Sequence, residues 1–349
     1  MKMKNLLAIL VITVGVQASA QDIHFSQFYM NPLQQNPAMA GAVYGLEANI
    51  NYKDQWRAAA APYKTFALGF HMRFDKKRSN NGYLAAGANF FSDKAGDANM
   101  GTGQGNFGLA YHVKLNPYNR LGAGMQVGYF QRSMDATGLM WASQFDGYDY
   151  NSSLSGGMVN GQPSFTKVDM GAGLSWVYNN TGGDIKVTDN HDLNFNAGVA
   201  VMHLNRPKYS FIGSDERLPM KVVVHGNGVI SLSDNSKMAI CPGFMYYRQG
   251  PAQEIYFGTL FRHLLAQDSK FTGFKNGAAF YWGAYMRTRD AVSAKVLFEY
   301  AGWGFGVSYD INVSSLKTVT NTRGGIEFSL RFVAPNPFQK TYGADHSRY

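Results

Sequence analysis

The stretch from Lys64 to Phe74, KTFALGFHMRF, alternates between two kinds of residue with almost no exception. Its even positions are large and apolar and its odd positions are small or polar: Phe66, Leu68, Phe70, Met72 and Phe74 against Thr65, Ala67, Gly69, His71 and Arg73. Because successive side chains of a β-strand point to opposite faces, this period of two predicts a strand with one apolar and one polar face. Such a strand suits a soluble sandwich or a membrane barrel. The number and length of similar runs, and the start of the chain, decide between them.

The first twenty residues, MKMKNLLAILVITVGVQASA, have the pattern of a secretory signal peptide. Two lysines precede an apolar run from Leu6 to Val16, and small residues at 18–20 give the usual cleavage spacing. Gln21 follows the predicted cut where a lipoprotein needs cysteine, so we expect no lipid anchor. The mature chain is predicted to begin near Gln21.

The composition of the chain favours a barrel. No later stretch has the roughly 18 uninterrupted apolar residues that a membrane-spanning helix needs. Aromatic residues make up 14% of the chain, glycines number 39, and charged residues are only 16%, whereas soluble domains carry about 25% charged residues. An exported chain with this composition is typical of an outer-membrane β-barrel.

Charge, cysteine and histidine patterns exclude several other functions. The formal net charge is +9, but the longest basic run, Lys76 to Arg78, is too short for a nucleic-acid arm, so we expect no nucleic acid partner. Cys241 is the single cysteine and is interpreted as a small strand residue. The histidines show no metal-binding spacing, so we expect no metal and no cofactor. His71, His112 and His225 share the polar phase of their strands and are interpreted as wall residues.

Fourteen alternating runs follow residue 46, and single-chain bacterial barrels have even strand numbers. The chain is therefore predicted to be all-β, forming a transmembrane antiparallel up-and-down β-barrel of about 14 strands. The predicted domains are a signal peptide (1–20), a periplasmic leader (21–46), the barrel (47–333) and a periplasmic C-terminal tail (334–349). The predicted strands are 47–56, 64–74, 83–92, 103–115, 120–132, 165–178, 191–202, 219–233, 236–248, 253–263, 277–288, 291–300, 303–311 and 322–333.

The lengths of the connections predict which end of the barrel faces the periplasm. Short connections follow strands four, eight and twelve, at 116–119, 234–235 and 301–302. Because barrels have short periplasmic turns, we place this end in the periplasm with the leader and the tail, and the loop from Asp135 to Ser164 outside. The short turn at Arg289 and Asp290 and the long connection 265–276 do not follow this rule.

The polar phase of the strands predicts a charged lumen in which bases outnumber acids. The predicted basic residues are Lys53, Arg73, Lys114, Arg132, Lys167, Lys221, Arg262, Arg287, Lys295 and Arg331, and the acidic ones are Glu47, Asp169, Glu299, Asp310 and Glu327. Two interpretations are open. The charges form an anion-preferring pore or a docking surface for an acidic segment, or they form internal salt bridges that brace the wall.

No pattern indicates catalysis. A barrel lipase needs a Ser, His and Asn constellation, and no spacing singles one out. The glycine-rich run GTGQGNFG at 101–108 resembles a dinucleotide fingerprint, but it enters a strand and so provides no helix N-terminus for a phosphate. We therefore expect that the protein is not an enzyme.

The leader QDIHFSQFYMNPLQQNPAMAG, at 21–41, has two Asn-Pro steps that prevent a continuous helix. Its aromatic residues are too apolar to stay in water, so we expect the leader to pack at one barrel mouth or inside the lumen. We favour the periplasmic mouth, where it would contact partner proteins; the alternative is a plug that only closes the pore. The predicted partner-binding residues are Phe25, Gln27, Phe28, Asn31, Pro32, Asn36 and Pro37.

The last strand has the pattern of a terminal barrel-assembly signal. Gly325, Phe328, Leu330 and Phe332 carry this pattern, and 333–349 follow it. Pro335 and Pro337 disfavour another strand, so we expect a tail whose removal from 338 onward leaves barrel assembly intact.

The leader, followed by NYKDQWR at 51–57, closely resembles the PorP/SprF family of outer-membrane proteins associated with type IX secretion. The match lies in segments where barrel patterning alone does not dictate residue choice, and Ile23 departs from the proline common in the family motif. The matching positions are Gln21, Asp22, His24, Phe25, Ser26, Gln27, Phe28, Asn31, Pro32, Asn36, Pro37, Ala38, Gly41, Tyr52, Gln55, Trp56 and Arg57.

The resemblance implies a barrel in outer-membrane lipid beside the secretion machinery. Its implied partners are the translocon and periplasmic ring lipoproteins of type IX secretion, or secreted adhesins used in gliding motility. Two alternatives remain open from the barrel alone: a passive anion-preferring pore, and a barrel that transports hydrophobic compounds.

Overall fold

The computed structural model describes most of the chain after the predicted signal peptide, which itself lies outside the described residues. The basic run at 76–78 and the end of the predicted tail also lie outside them. The described residues are 22–55, 57, 62–75, 81–96, 99–135, 142–151, 153–154, 164–181, 193–211, 213–232, 237–267, 276–314 and 317–338.

Fourteen antiparallel strands form one closed barrel, in which each strand pairs with its sequence neighbours and β1 pairs with β14. The predicted number and order of strands are confirmed, and each predicted end lies within three residues of the observed one. The strands are β1 Leu46–Gln55, β2 Tyr63–Phe74, β3 Gly82–Ala95, β4 Met100–Lys114, β5 Asn119–Ser133, β6 Ser164–Asn179, β7 Leu193–Met202, β8 Lys221–Ser231, β9 Met238–Gln249, β10 Ala252–Ala266, β11 Ala278–Arg287, β12 Ala291–Tyr300, β13 Trp303–Asn312 and β14 Arg323–Ala334.

The alternating pattern of β2 separates the two faces of the wall as predicted. Phe70 is 45% exposed on the outer face, whereas its neighbours His71 and Ala67 are buried on the inner face. The outer face carries exposed aromatic residues towards both ends of the barrel, including Trp303 and Tyr300 at one end and Tyr129 towards the other. An apolar outer band with aromatic residues near its rims is the surface that a lipid bilayer requires.

The two ends of the barrel differ in what they contain. The terminal mouth is defined here as the end where β1 begins and β14 ends, and the short connections 115–118 and 301–302 lie there. The distal mouth is the opposite end, and it includes the connection between β5 and β6. This grouping matches the predicted one; the assignment of the terminal mouth to the periplasm stays a prediction.

The leader runs through the inside of the barrel. Three short 3₁₀ helices, Phe28–Met30, Pro32–Gln34 and Pro37–Met39, carry the chain inward, and proline begins two of them. Asp22 contacts residues at the distal mouth, and Gly41 contacts residues at the terminal mouth. Residues 22–41 therefore cross the lumen from one mouth to the other.

One short α-helix, α1 (Lys317–Thr320), lies in the distal connection between β13 and β14. Within the described ranges, no helix combines the length and apolar character needed to cross a membrane.

Candidate functional site: the leader in the lumen

At the distal mouth, the start of the leader is held by an ion pair network around His203, just after β7. His203 Nε2 lies 2.8 Å from Asp22 Oδ2, and His203 Nδ1 lies 2.8 Å from Asp169 Oδ1 on β6. Lys221 Nζ lies 3.5 Å from the same Asp22 oxygen. Gln249 completes the site, since its side chain accepts from the Asp22 amide at 3.0 Å. Charged groups on two strands and one loop, with the Gln249 amide on a third strand, therefore fix the first described residue of the leader.

The same network sets the ionisation of its two central groups. Burial by itself would lower the pKa of His203, but Asp22 and Asp169 outweigh burial and raise this pKa to about 9. Burial opposes ionisation of Asp22, yet His203 and Lys221 hold the pKa of its carboxyl well below its usual range. The pair is therefore an imidazolium and a carboxylate near neutral pH.

In the middle of the lumen, Glu327 on β14 binds the main chain of the leader. The Ser26 and Gln27 amides donate to the two Glu327 carboxylate oxygens at 2.6 and 2.8 Å. Lys295 on β12 donates to the Ser26 carbonyl oxygen. The Ser26 hydroxyl lies 2.8 Å from both oxygens of Asp310 on β13. These residues, here called the Glu327 clamp, are all buried, and hydrogen bonds to charged groups are the strong ones.

Further positive groups balance the carboxylates of the clamp. Arg287 Nη2 lies 3.2 Å from Asp310 Oδ2, and Lys53 Nζ lies 3.7 Å from the same atom. Lys53 also donates to the His24 carbonyl oxygen at 3.2 Å.

Next to the clamp, Phe28 inserts into a cluster of aromatic rings on the wall. Its ring makes edge contacts with Tyr256 and Tyr285, at centroid distances of 5.8 and 5.7 Å. Lys295 Nζ lies 3.8 Å from the Tyr285 ring centroid and 5.1 Å from that of Tyr29. Ring contacts and cation–π attraction each add stabilisation beyond that of burying the apolar surface. This cluster therefore fixes the side chains of the leader, as the Glu327 clamp fixes its main chain.

The second Asn-Pro step turns the leader against strands with small residues. Asn36 Oδ1 accepts from the Ala38 amide at 2.9 Å, and Asn36 Nδ2 donates to the Leu174 carbonyl oxygen at 2.9 Å. His225 Nε2 lies 3.1 Å from the same amide nitrogen. A Cβ atom on Gly124 would lie 2.6 Å from Ala38 Cα. Glycine is therefore required in β5 for the close approach of the leader.

At the terminal mouth, the leader ends in a left-handed residue, Gly41, with φ of 62°. Arg73 Nε donates to the Gly41 carbonyl oxygen at 2.9 Å, and the Gly41 amide donates to His71 Nδ1 at 3.1 Å. The Tyr83 hydroxyl donates to the same carbonyl at 3.2 Å. His112 Nε2 lies 2.7 Å from the Ala40 carbonyl oxygen. All three predicted lumen histidines thus contact the leader, His71 and His112 at adjacent residues near its end and His225 at Asn36.

The structure places the predicted lumen charges on the inner wall, where several pair with other side chains. Arg331 pairs with Glu299, and Lys114 Nζ lies 2.9 Å from Asp75 Oδ2. Arg132 stacks 4.5 Å above the Tyr209 ring. Lys167 is exposed near the distal mouth. Buried members of the predicted set are Glu47, Lys53, Arg73, Asp169, Lys221, Arg262, Arg287, Lys295, Glu299, Asp310, Glu327 and Arg331.

The position of the leader corrects the expectation that it packs at the periplasmic mouth. Phe25 and Phe28 are only 3% and 2% exposed, and Gln27 and Asn36 are fully buried. The remaining predicted partner-binding residues, Asn31, Pro32 and Pro37, also lie inside the lumen. The physical reason is that side chains of the wall provide hydrogen-bond partners for the main chain of the leader inside the lumen. At a mouth, water would provide these partners. The alternative of an internal plug describes the observed position.

Several residues that hold the leader were not singled out from the sequence. Tyr256 and Tyr285 lie on the polar phase of their strands, and a search for inward-facing aromatic residues could have found them. His203 lies in a loop and acts through residues far away in sequence, so no local pattern marks it.

A closed fourteen-stranded barrel with an apolar outer face and its own leader inside the lumen defines a plugged outer-membrane β-barrel. The model of the family described as type IX secretion system membrane protein PorP/SprF matches residues 17–332. The chain belongs to this family, as the leader motif predicted. It is therefore an outer-membrane barrel associated with type IX secretion.

The solved structures to which the chain is similar share little sequence identity with it. BamA from Haemophilus ducreyi lacking POTRA domains 1–3 has a TM-score of 0.43 at 9% identity, covering 83% of this chain and 70% of that chain. A deltaS2 mutant of the TodX monoaromatic hydrocarbon channel has a TM-score of 0.41 at 10% identity, covering 86% and 91%. The translocator domain of autotransporter NalP from Neisseria meningitidis has a TM-score of 0.35 at 11% identity, covering 82% and 87%. No protein with a curated description matches the chain significantly.

Proposed function

We propose that this protein is a plugged membrane partner of type IX secretion that supports the secretion or surface anchoring of exported proteins such as gliding adhesins. It acts by binding and not as an enzyme. The observation that carries this proposal is the Glu327 clamp, because a carboxylate that binds two consecutive leader amides keeps the lumen filled. Family membership supplies the secretion context.

The arrangement of charge argues against a passive anion pore. An anion-selective lumen needs positive groups that face a water-filled path. Here Lys295 donates to the leader, Arg331 pairs with Glu299, and Arg287 pairs with Asp310. Charges already engaged in buried pairs offer little attraction to a passing ion.

Partner contact in this proposal takes place at the mouths while the leader is docked. Phe25 and Phe28 are buried, so they can contact a partner only after the leader leaves the lumen. The translocon and the periplasmic ring lipoproteins would meet the terminal mouth, on the side that we assign to the periplasm. Outer-membrane lipid covers the apolar outer face.

Conductance and secretion measured on the same protein test this proposal. The wild-type barrel should give little steady conductance in planar bilayers, and removal of the gene should reduce surface adhesins or secreted proteins. Steady anion-selective conductance with normal secretion in the deleted strain would favour the pore.

Alanine at both Phe25 and Phe28 separates plugging from partner contact. Lost co-purification of secretion partners, with the barrel folded and non-conducting, would indicate docking through the leader. A folded but leaky barrel that retains its partners would indicate that the leader only plugs. Phe107→Ala is the control, because Phe107 is 53% exposed on the outer face.

A further inference from the structure

The hydrogen-bonded ladder between β8 and β9 is interrupted at one place. Pairing runs from Lys221 opposite Gln249 to Asn227 opposite Gly243, and it resumes at Ile230 opposite Ile240. Gly228 and Val229 are skipped, although the register is the same on both sides of the gap. The wall therefore lacks ladder pairs at this point and keeps its alignment.

Pro242 in the middle of β9 explains the interruption. It stands opposite Gly228 and has no N–H group to donate, so the ladder bond at this position cannot form. Proline normally occurs on edge strands or at bulges, but a closed barrel has no edge. Its presence in an interior strand marks a local weakness in the wall.

A cavity lies directly behind this weak point. Its volume is about 150 Å³, and Gly228, Val229, Cys241 and Pro242 all line it. These are the four residues that the ladder skips. The leader contributes Phe28 and other side chains to the opposite wall of the cavity. Most of the lining is apolar, and the charged residues Glu47, Arg262 and Arg331 also border the cavity. A cavity of about 150 Å³ can hold a molecule of the size of benzene.

The cavity also has hydrogen-bond acceptors that lack donors. Asn194 on β7 is 6% exposed and lines the cavity, and its Oδ1 atom has no hydrogen-bond partner among the described residues. Asn196, two residues further along the same strand, also lines the cavity, and its Oδ1 atom has no hydrogen-bond partner among the described residues. Tyr281 and Tyr285 provide aromatic walls. The surroundings therefore suit a ring with one hydroxyl or amine group better than a plain hydrocarbon, because a buried acceptor gains by receiving a donor.

We propose that this cavity is a binding site for small, single-ring apolar molecules with one hydrogen-bond donor. They reach it from the membrane through the interrupted ladder between β8 and β9. The docked leader separates the cavity from the distal mouth, because Phe28 is buried between them. This site is formed by the wall together with the docked leader, and it is independent of the secretion role.

Cys241 provides a direct assay, because it lines the cavity and is the single cysteine of the chain. The purified barrel is reconstituted in liposomes and treated with N-phenylmaleimide, which is uncharged and of ring size, or with a charged methanethiosulfonate reagent. p-Cresol and toluene serve as competing probes with and without a donor. N-phenylmaleimide should label Cys241 and the charged reagent should not. p-Cresol should protect at about tenfold lower concentration than toluene.

Two variants test the route and the site separately. Pro242→Val restores the missing N–H group and should slow labelling about tenfold, since one or two ladder bonds then resist opening. Val229→Phe fills the cavity without changing the ladder donor and should block labelling, which keeps the test valid if Pro242→Val does not fold. Ile255→Val, on the outer face of β10, is the control and should change nothing.

The results that would overturn the proposal are equally definite. An unreactive Cys241 in the folded barrel would mean that no such molecule enters. Equal labelling by the charged reagent would mean an aqueous route through a mouth. Equal protection by p-cresol and toluene would mean that the Asn194 and Asn196 oxygens do not accept a hydrogen bond from the bound molecule. Unchanged labelling in both Pro242→Val and Val229→Phe would place the entry elsewhere.

Discussion

Replacing Glu327 with glutamine should loosen the leader without unfolding the barrel. The Glu327 carboxylate accepts from the Ser26 and Gln27 amides at 2.6 and 2.8 Å. Glutamine keeps one acceptor oxygen, but its NH₂ group then faces a main-chain N–H that has lost its acceptor. Hydrogen bonds to charged groups contribute about 1.5–3 kcal/mol each. The nearby ammonium of Lys295 also loses a neutralising charge. We therefore expect leader docking to weaken by about 3 kcal/mol, which raises the undocked population about 100-fold.

The frequency of transient openings in planar bilayers measures this population directly. Glu327→Gln should increase the opening frequency about 100-fold over wild type, while the heat-dependent gel shift of the folded barrel is unchanged. Asp215→Asn is the matched control, because Asp215 is exposed at the distal mouth and pairs with Lys208 there. A surface pair of this kind contributes about 0–1 kcal/mol. An unchanged opening frequency in folded Glu327→Gln would refute the idea that this clamp holds the plug.

Three further outcomes are expected. Because the pKa of His203 is raised to about 9, its stabilisation of the leader is complete below the ordinary pKa near 6.5. It is lost as pH rises through 9, so protease should cleave the leader faster at pH 10 than at pH 6, and His203→Gln should reduce this difference. Gly124→Ala should raise conductance by displacing the leader. Gly103→Ala is its control and should not, because the nearest atom to an added Cβ there is 3.9 Å away. Equal conductance in the two variants would contradict this prediction. Phe332→Asp should deplete folded barrel in membranes, and deletion of 338–349 should leave its amount unchanged.

The barrel itself could be predicted from the sequence because its determinants are local. In each strand, apolar residues that face the bilayer alternate with small or polar residues that face the lumen. The adjacent residues Phe70, on the outer face, and His71, on the inner face, are an example. Strand ends were predicted within three residues, since turn residues and loss of alternation mark them. The inward position of charges such as Arg287 and Lys295 followed from the same period.

The position of the leader could not be predicted in the same way. Its aromatic residues indicate that it must pack, but the choice between mouth and lumen depends on groups far away in sequence. Ser26 and Glu327 are separated by 301 residues, and Asp22 and His203 by 181. Pro242 lies within the predicted strand 236–248, but the interruption that it causes appears only when the opposite strand is known.

The route of the leader links the last step of barrel assembly to the sealing of its channel. The end of the leader at Gly41 contacts Arg73, only 32 residues later, so early strands can hold this part as soon as they form. The part around Ser26 has its acceptor on β14, which is also the strand that closes the barrel against β1. Pairing of the final strand thus closes the barrel and provides the acceptor that holds the leader in the lumen, in one step. An assembling chain with the leader in place would pass directly from an open sheet to a sealed barrel, without exposing the outer membrane to a leak.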